Sequence, residues 1–203
     1  GHSRLSIIDL SPQSNQPLWD VTSSVCIAFN GEIYNYQTLK ESLINKGYVF
    51  ASKGDAEVIS NMYLEYGVQS FELLQGIFAF SIWDARSEEL FIVRDQYGVK
   101  PLYYTSEETD FFAFSSEMKS LLSIPNIHKQ LCYDAVFRSI IFLWSPGPET
   151  VMKGIHKLEP GHYLKVKNSK TYEKVKYSHW PSYRPESSRP NDHIDKLEKS
   201  LKD

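Results

Sequence analysis

The hydropathy pattern changes period several times along the 203-residue chain, and each change marks an expected element. Leu5 to Leu10 reads as a short strand, followed by a polar loop over Ser11 to Asp20. Val25 to Phe29 is an unbroken apolar run, a buried strand that ends at Asn30-Gly31-Glu32. Tyr36 to Lys46 then takes a helical period, with Leu39 and Leu43 one turn apart and Gly47 placed to stop it. A second helix is expected from Asp55, at or near the N-cap, with Val58, Ile59, Met62, Tyr63 and Tyr66 on its apolar face. After a short helical stretch over 69–76 the period drops to two. Strands are expected at 77–84, 89–95, 101–105 and 111–117, forming a meander whose partial alternation implies cover on both faces. Residues 117–124 read as helix up to Pro125, 133–144 as another, and 155–180 as a β-ribbon turning at 167–171. Helices against an antiparallel meander predict a layered α+β fold.

Residues 181–192 are rich in Pro, Ser and Arg, the composition of a linker. Beyond them Ile194, Leu197 and Leu201 begin a helical stripe. An apolar pattern already under way at Leu5, and a helix opening at the other end, make the chain read as part of a longer protein. The expected layout is a domain over 1–180, a linker over 181–192, and the start of a second domain over 193–203.

A hydrophobic content of 41% and an aromatic content of 14% suffice for a sizeable core. The net charge of -3 is dispersed, which argues against a nucleic-acid surface or a polybasic membrane patch. No apolar run approaches the ~20 residues of a membrane span, so a cytoplasmic protein is expected. Cys26, Cys132 and the six histidines lack metal-ligand spacing, and no metal site is expected.

Three polar spots stand at the ends of apolar elements: Arg4, Asn30-Gly31-Glu32 and Asp55. A guanidinium suits a carboxylate, binding it through two hydrogen bonds. An Asn amide beside a glycine N–H is a donor pair able to hold a developing oxyanion. A carboxylate such as Glu32 or Asp55 can take an ammonium. Together they can grip an α-amino acid at both ends and polarise a carbonyl in its side chain. Each also has a plainer reading. Asn-Gly is a common turn, Asp a common helix cap, and Arg4 a possible surface ion pair of small value.

The strings RLSIIDLS, FNGEIYNY, GDAEVI, LLQGIFAFSIWD, RDQYGVKPLYY, SSEMKSLL and PGPETVMKGIHKLEPGHYL occur in this order over residues 1 to about 180. Together they closely resemble the glutaminase, or class II glutamine amidotransferase, domain of glutamine-hydrolysing asparagine synthetases. The resemblance implies an N-terminal-nucleophile hydrolase fold, a four-layer αββα sandwich of antiparallel sheets. It implies that Asn30 and Gly31 form an oxyanion hole and that Arg4 binds the α-carboxylate of L-glutamine. It further implies that Asp55 and Glu32 hold the α-amino group and that backbone groups of Ile7 and Ile8 line the pocket. The family usually has Ser where this chain has Gly54, so a hydroxyl contact there is replaced at best by a backbone one. The family's nucleophile is an N-terminal cysteine, which is absent from this chain, and the isolated chain is expected to be inactive. Cys26, inside an apolar run, is no substitute, because burial makes a thiol inert. Arg94-Asp95 and Ser116-Glu117 also match the family, either facing a partner domain or serving as structural pairs.

As a whole the resemblance implies hydrolysis of glutamine and delivery of ammonia to an ATP-activated aspartate. No cofactor is expected in this domain; ATP and Mg²⁺ belong to a synthetase domain outside it. Expected partners are L-glutamine, that C-terminal synthetase domain and a second copy in a homodimer. The alternatives are an amidotransferase acting on another carboxylate in polysaccharide or secondary-metabolite synthesis, or a non-catalytic glutamine-binding relative.

Overall fold

The computed structural model describes residues 2, 11, 14–107, 109–167, 171–178 and 190–202. Its strands are β1 (Leu18–Trp19), β2 (Val25–Ile33), β3 (Gly76–Asp84), β4 (Glu89–Arg94), β5 (Tyr103–Thr105), β6 (Phe114–Ser115), β7 (Ile155–Lys157), β8 (His162–Lys167) and β9 (Thr171–Lys176). Its helices are α1 (Tyr36–Asn45), α2 (Asp55–Tyr66), α3 (Met118–Leu122), α4 (Tyr133–Phe142) and α5 (Pro190–Lys202), with a 3₁₀ segment at Gly67–Leu73.

Period-two alternation sorts the side chains of the central strands into two cores. Ile27 and Phe29 of β2, Phe78, Phe80 and Ile82 of β3, and Phe91 and Val93 of β4 face Ala56, Ile59 and Tyr63 of α2. The intervening Ala79 and Ile92, with Leu164 and Val166 of β8, face Leu102 and Tyr104 instead. The strands therefore make a six-stranded sheet in the order β1-β2-β3-β4-β8-β9, backed by a three-stranded sheet, β6-β5-β7. Leu121 of α3 packs with Ile127 and Ile155 against the partly buried Tyr103. Tyr103 neighbours the inward-facing Tyr104 on β5, so this cluster lies on the outer face of the small sheet. The layers run helix, sheet, sheet, helix, and every strand pairing is antiparallel.

The structure corrects several of the expected elements. The meander is not continuous, because β4 pairs with β8 whereas β5 joins the second sheet. The ribbon expected over 155–180 is split: β7 pairs with β5, and only β8 and β9 form a hairpin. The expected polar loop contains β1, which pairs Leu18 with Ile27 and Trp19 with Cys26. The expected strand at Leu5 to Leu10 lies outside the described residues, and α5 begins at Pro190, inside the stretch read as linker.

Arg94 and Asp95 make the sheet switch possible. The buried Asp95 carboxylate accepts from the N–H groups of Phe78 (3.3 Å), Tyr97, Val99 and Lys100 (each 3.0 Å). Arg94 donates to the carbonyls of Gly98, Lys100 and Leu158. The pair thus satisfies the backbone of the 95–100 turn, where no ladder is available. Asp95→Ala is expected to cost about 3 kcal/mol or more, because it strands one buried and three partly buried donors. Urea unfolding of the variant checks this, and a shift under 1 kcal/mol would disprove the role.

α4 breaks the usual rule in that its outward side is apolar. Tyr133, Phe137, Ile140, Ile141 and Phe142, followed by Leu143 and Trp144, are all exposed. On the second matched motif, Glu117 pairs with Lys119 at the surface, an interaction of small value.

Candidate functional site

Asn30-Gly31-Glu32 was expected as a corner after a strand, but it lies within one. β2 continues to Ile33, pairing Asn30 with Ala79, Gly31 with Phe78 and Glu32 with Ile77. This removes the turn reading and raises the question of what a glycine does in mid-strand. Gly31 has φ +149°, and a Cβ there would stand 2.1 Å from the Ile77 carbonyl oxygen. Gly76 mirrors it across the pair, with φ +158° and a Cβ position 2.1 Å from the Glu32 carbonyl oxygen. Both glycines are needed because the two backbones approach too closely for any side chain.

Strand parity decides where the Gly31 N–H points. Odd-numbered residues of β2 turn their N–H groups away from β3. Val25 donates to the Asp20 carboxylate, Phe29 to the Gln16 side-chain carbonyl at 2.5 Å, and Ile33 to Asp55 Oδ2 at 3.1 Å. Gly31 lies between the last two, so its N–H points to the same open edge. No acceptor meets it among the described residues. The Asn30 side chain is exposed and also has no hydrogen-bond partner among them.

The bond from Ile33 brings α2 to this edge. Asp55 is the first residue of α2, after Gly54 as N-cap, and is 8% exposed. Burial raises its carboxyl above the ordinary value, and the nearby Glu32 carboxylate adds to the rise. N–H groups of Ile33, Asp55 and Ala56 oppose the rise, and the net direction is upward. Glu32 itself is exposed beside it. Two carboxylates, one held partly desolvated, form a place for a cation.

The structure therefore gathers Asn30, Gly31, Glu32, Gly54 and Asp55, whereas Arg4, Ile7 and Ile8 lie outside the described residues. At Gly54 a Cβ would be 3.1 Å from the Ser14 hydroxyl oxygen and 3.8 Å from that of Ser52, so hydroxyls surround a position that lacks one. Ser14, Gln16, Ser52 and Gly76 were missed from sequence. Only Gly76, directly before an apolar run, carried a local signal. Burial pushes the Cys26 thiol up, which disfavours the thiolate. Among the described residues there is no cluster of three metal-ligating side chains and no helix long and apolar enough to cross a membrane.

A family model described as a glutamine amidotransferase domain matches residues 1–179. The chain belongs to this family. Asparagine synthetase [glutamine-hydrolyzing] 2 of Bacillus subtilis is 37% identical to the amidotransferase domain over 185 residues, covering 87% of this chain and 24% of that protein. Amidase chry2 of Gibberella zeae is 34% identical over 177 residues, covering 87% of this chain and 26% of that protein. The chain thus spans about a quarter of the length of these relatives. Among solved structures, glutamine phosphoribosylpyrophosphate amidotransferase from B. subtilis shares the fold, with TM-score 0.59 at 21% identity over 87% of this chain and 34% of that one. The allosteric regulatory enzyme of purine biosynthesis gives TM-score 0.58 at 22% identity, covering 82% of this chain and 32% of that one. The amidotransferase domain therefore has the layered N-terminal-nucleophile hydrolase fold expected for it.

Proposed function

We propose that this domain binds L-glutamine and hydrolyses its side-chain amide, supplying ammonia for the amidation of aspartate by a synthetase region outside the chain. The observation that carries the reading is the open edge of β2. There the uncommitted Gly31 N–H and Asn30 amide stand beside the buried Asp55 and the exposed Glu32. In this reading Asp55 and Glu32 take the α-ammonium, Arg4 takes the α-carboxylate, and backbone groups of Ile7 and Ile8 complete the wall. An N-terminal cysteine, outside this chain, supplies the thiolate. It attacks the amide carbon, and Gly31 N–H and Asn30 Nδ2 hold the oxyanion. The proton that the cysteine's own α-amine took from the thiol passes to the amide nitrogen, so that ammonia leaves as a thioester forms. Water then releases glutamate. ATP and Mg²⁺, which the amidation requires, belong to the synthetase region.

A second reading keeps the glutaminase and changes the acceptor to another carboxylate. It is supported only in that a relative covering the same share of this chain, that of Gibberella zeae, is named an amidase and not an asparagine synthetase.

Titration with L-glutamate, the product, tests the pocket, followed through the amide resonances of Gly31 and Ile33. Saturable binding is expected, weakened about tenfold or more in Asp55→Asn through loss of a charged hydrogen bond. Ammonium binding needs the Asp55 carboxylate, whose proton affinity is raised, so affinity should fall as pH is lowered through that raised value. In stability the sign is opposite. Folded Asp55 holds its proton more tightly than unfolded Asp55, so its contribution is lost as pH rises. Asp55→Asn should therefore retain or raise Tm at neutral pH. No saturable binding, or pH-independent affinity, would overturn the reading.

A further inference from the structure

We infer that Glu57 is a positioning residue for the amino-acid pocket, fixing the Asp55 carboxylate through the Ala51–Ser52 segment. The inference rests on the glutamine-binding reading above. Glu57 is the third residue of α2 and is 4% exposed. A glutamate at this position ordinarily reaches back to the N–H of the capping residue, here Gly54. Glu57 reaches further. Its Oε1 accepts from the Ala51 N–H at 2.8 Å, and its Oε2 from the Ser52 N–H at 2.7 Å and the Ser52 hydroxyl at 2.6 Å. From the other side, Lys40 of α1 donates to the Ser52 carbonyl at 2.9 Å, with its ammonium 4.6 Å from the centre of the Phe50 ring. The N–H, hydroxyl and carbonyl of Ser52 are thus all engaged, leaving two residues between this anchor and Asp55. The Gly54 N–H meets no acceptor among the described residues.

Holding the helix in place does not require this arrangement. Ala56, Val58, Ile59, Met62 and Tyr63 already bury α2 against the sheet and α1. Those contacts set its axis and rotation. They do less for its first turn, whose N–H groups have no intrahelical acceptors and where helices fray. Asp55 sits in that turn. A charged contact to a ligand is sensitive to displacements of about 1 Å, so a buried restraint just ahead of Asp55 acts on binding geometry. The 3.1 Å bond from Ile33 N–H to Asp55 reports that geometry in the free protein.

The test uses ¹⁵N-labelled chain 1–203 carrying Glu57→Gln or Ser52→Ala. Glutamine keeps the shape, but its amide nitrogen would face donors. In Glu57→Gln, exchange of the Ile33 amide, measured relative to that of buried Phe80, should rise about tenfold, and the L-glutamate Kd should rise by about the same factor. Ser52→Ala, which removes one bond and no buried carboxylate, should move both in the same direction by less. Should Glu57→Gln fail to fold, Ser52→Ala decides alone. A lower Tm with unchanged Ile33 exchange and unchanged Kd would make Glu57 a helix cap and overturn the inference. Faster Ile33 exchange with unchanged Kd would keep Asp55 positioned by Glu57 while overturning its place in the pocket. A wild-type chain that fails to bind glutamate would overturn the pocket reading and, with it, the role of Glu57 in binding.

Discussion

Alanine at position 31 is expected to cost about 4 kcal/mol or more, against about 1–2 kcal/mol for alanine at position 47. The two glycines share a positive φ, +149° and +93° respectively, so both substitutions incur backbone strain. They differ in what a methyl group would meet. At Gly47 there is nothing within 4 Å, whereas at Gly31 the Ile77 carbonyl oxygen lies at 2.1 Å and Phe78 Cα at 2.7 Å. Both obstacles are main chain, which no rotamer change can clear, so β2 and β3 must separate where β2 forms the open edge of the larger sheet. Urea denaturation of the two variants side by side isolates the clash from the strain. Equal losses would show that the close approach of the two strands is not a constraint.

The second large effect is kinetic. In a full-length protein carrying the cysteine nucleophile, Asn30→Ala should lower kcat for glutamine hydrolysis by ~10²-fold, the usual cost of deleting one oxyanion donor. Stability should change by under about 0.5 kcal/mol, because the side chain is exposed and has no partner among the described residues. Glutamate binding should weaken little, since a carboxylate product does not resemble the tetrahedral state. A large stability loss with unchanged kcat would mean that Asn30 shapes the strand and does not act on substrate.

Local patterns carried much of this fold. α1 and α2 follow from their helical periods, and β3 from its Phe-Ala-Phe-Ser-Ile alternation, because one layer buries each repeating face. The sheet switch after Asp95 was not readable. Whether the next strand pairs with β4 or leaves for another sheet depends on long-range partners, here β8, more than sixty residues later. α4 misleads in the opposite sense, since its apolar stripe reads as a buried face yet points outward. At the site, Asn30, Gly31 and Asp55 stood out because they stand at the ends of apolar elements. Glu57 did not, because it looks like any acidic residue in the first turn of a helix; only its burial and its three bonds reveal it. Asn30-Gly31 resembled a turn because the same freedom of φ serves turns and close strand crossings alike.

β2 is at once a wall of the core and the rim of the site, and alternation assigns the two duties to alternate residues. Ile27, Phe29 and Ile33 bury their side chains while their peptide groups turn away from β3, that of Ile27 to β1 and those of Phe29 and Ile33 to the open edge. Asn30 and Glu32 do the reverse, pairing with β3 and offering their side chains. A single-residue deletion between Val25 and Phe29 would exchange these duties along the rest of the strand. Phenylalanine would face solvent, asparagine the core, and a glutamate would stand where the backbones cross. The pocket cannot drift in register without unmaking the core, so change at this rim is confined to substitution.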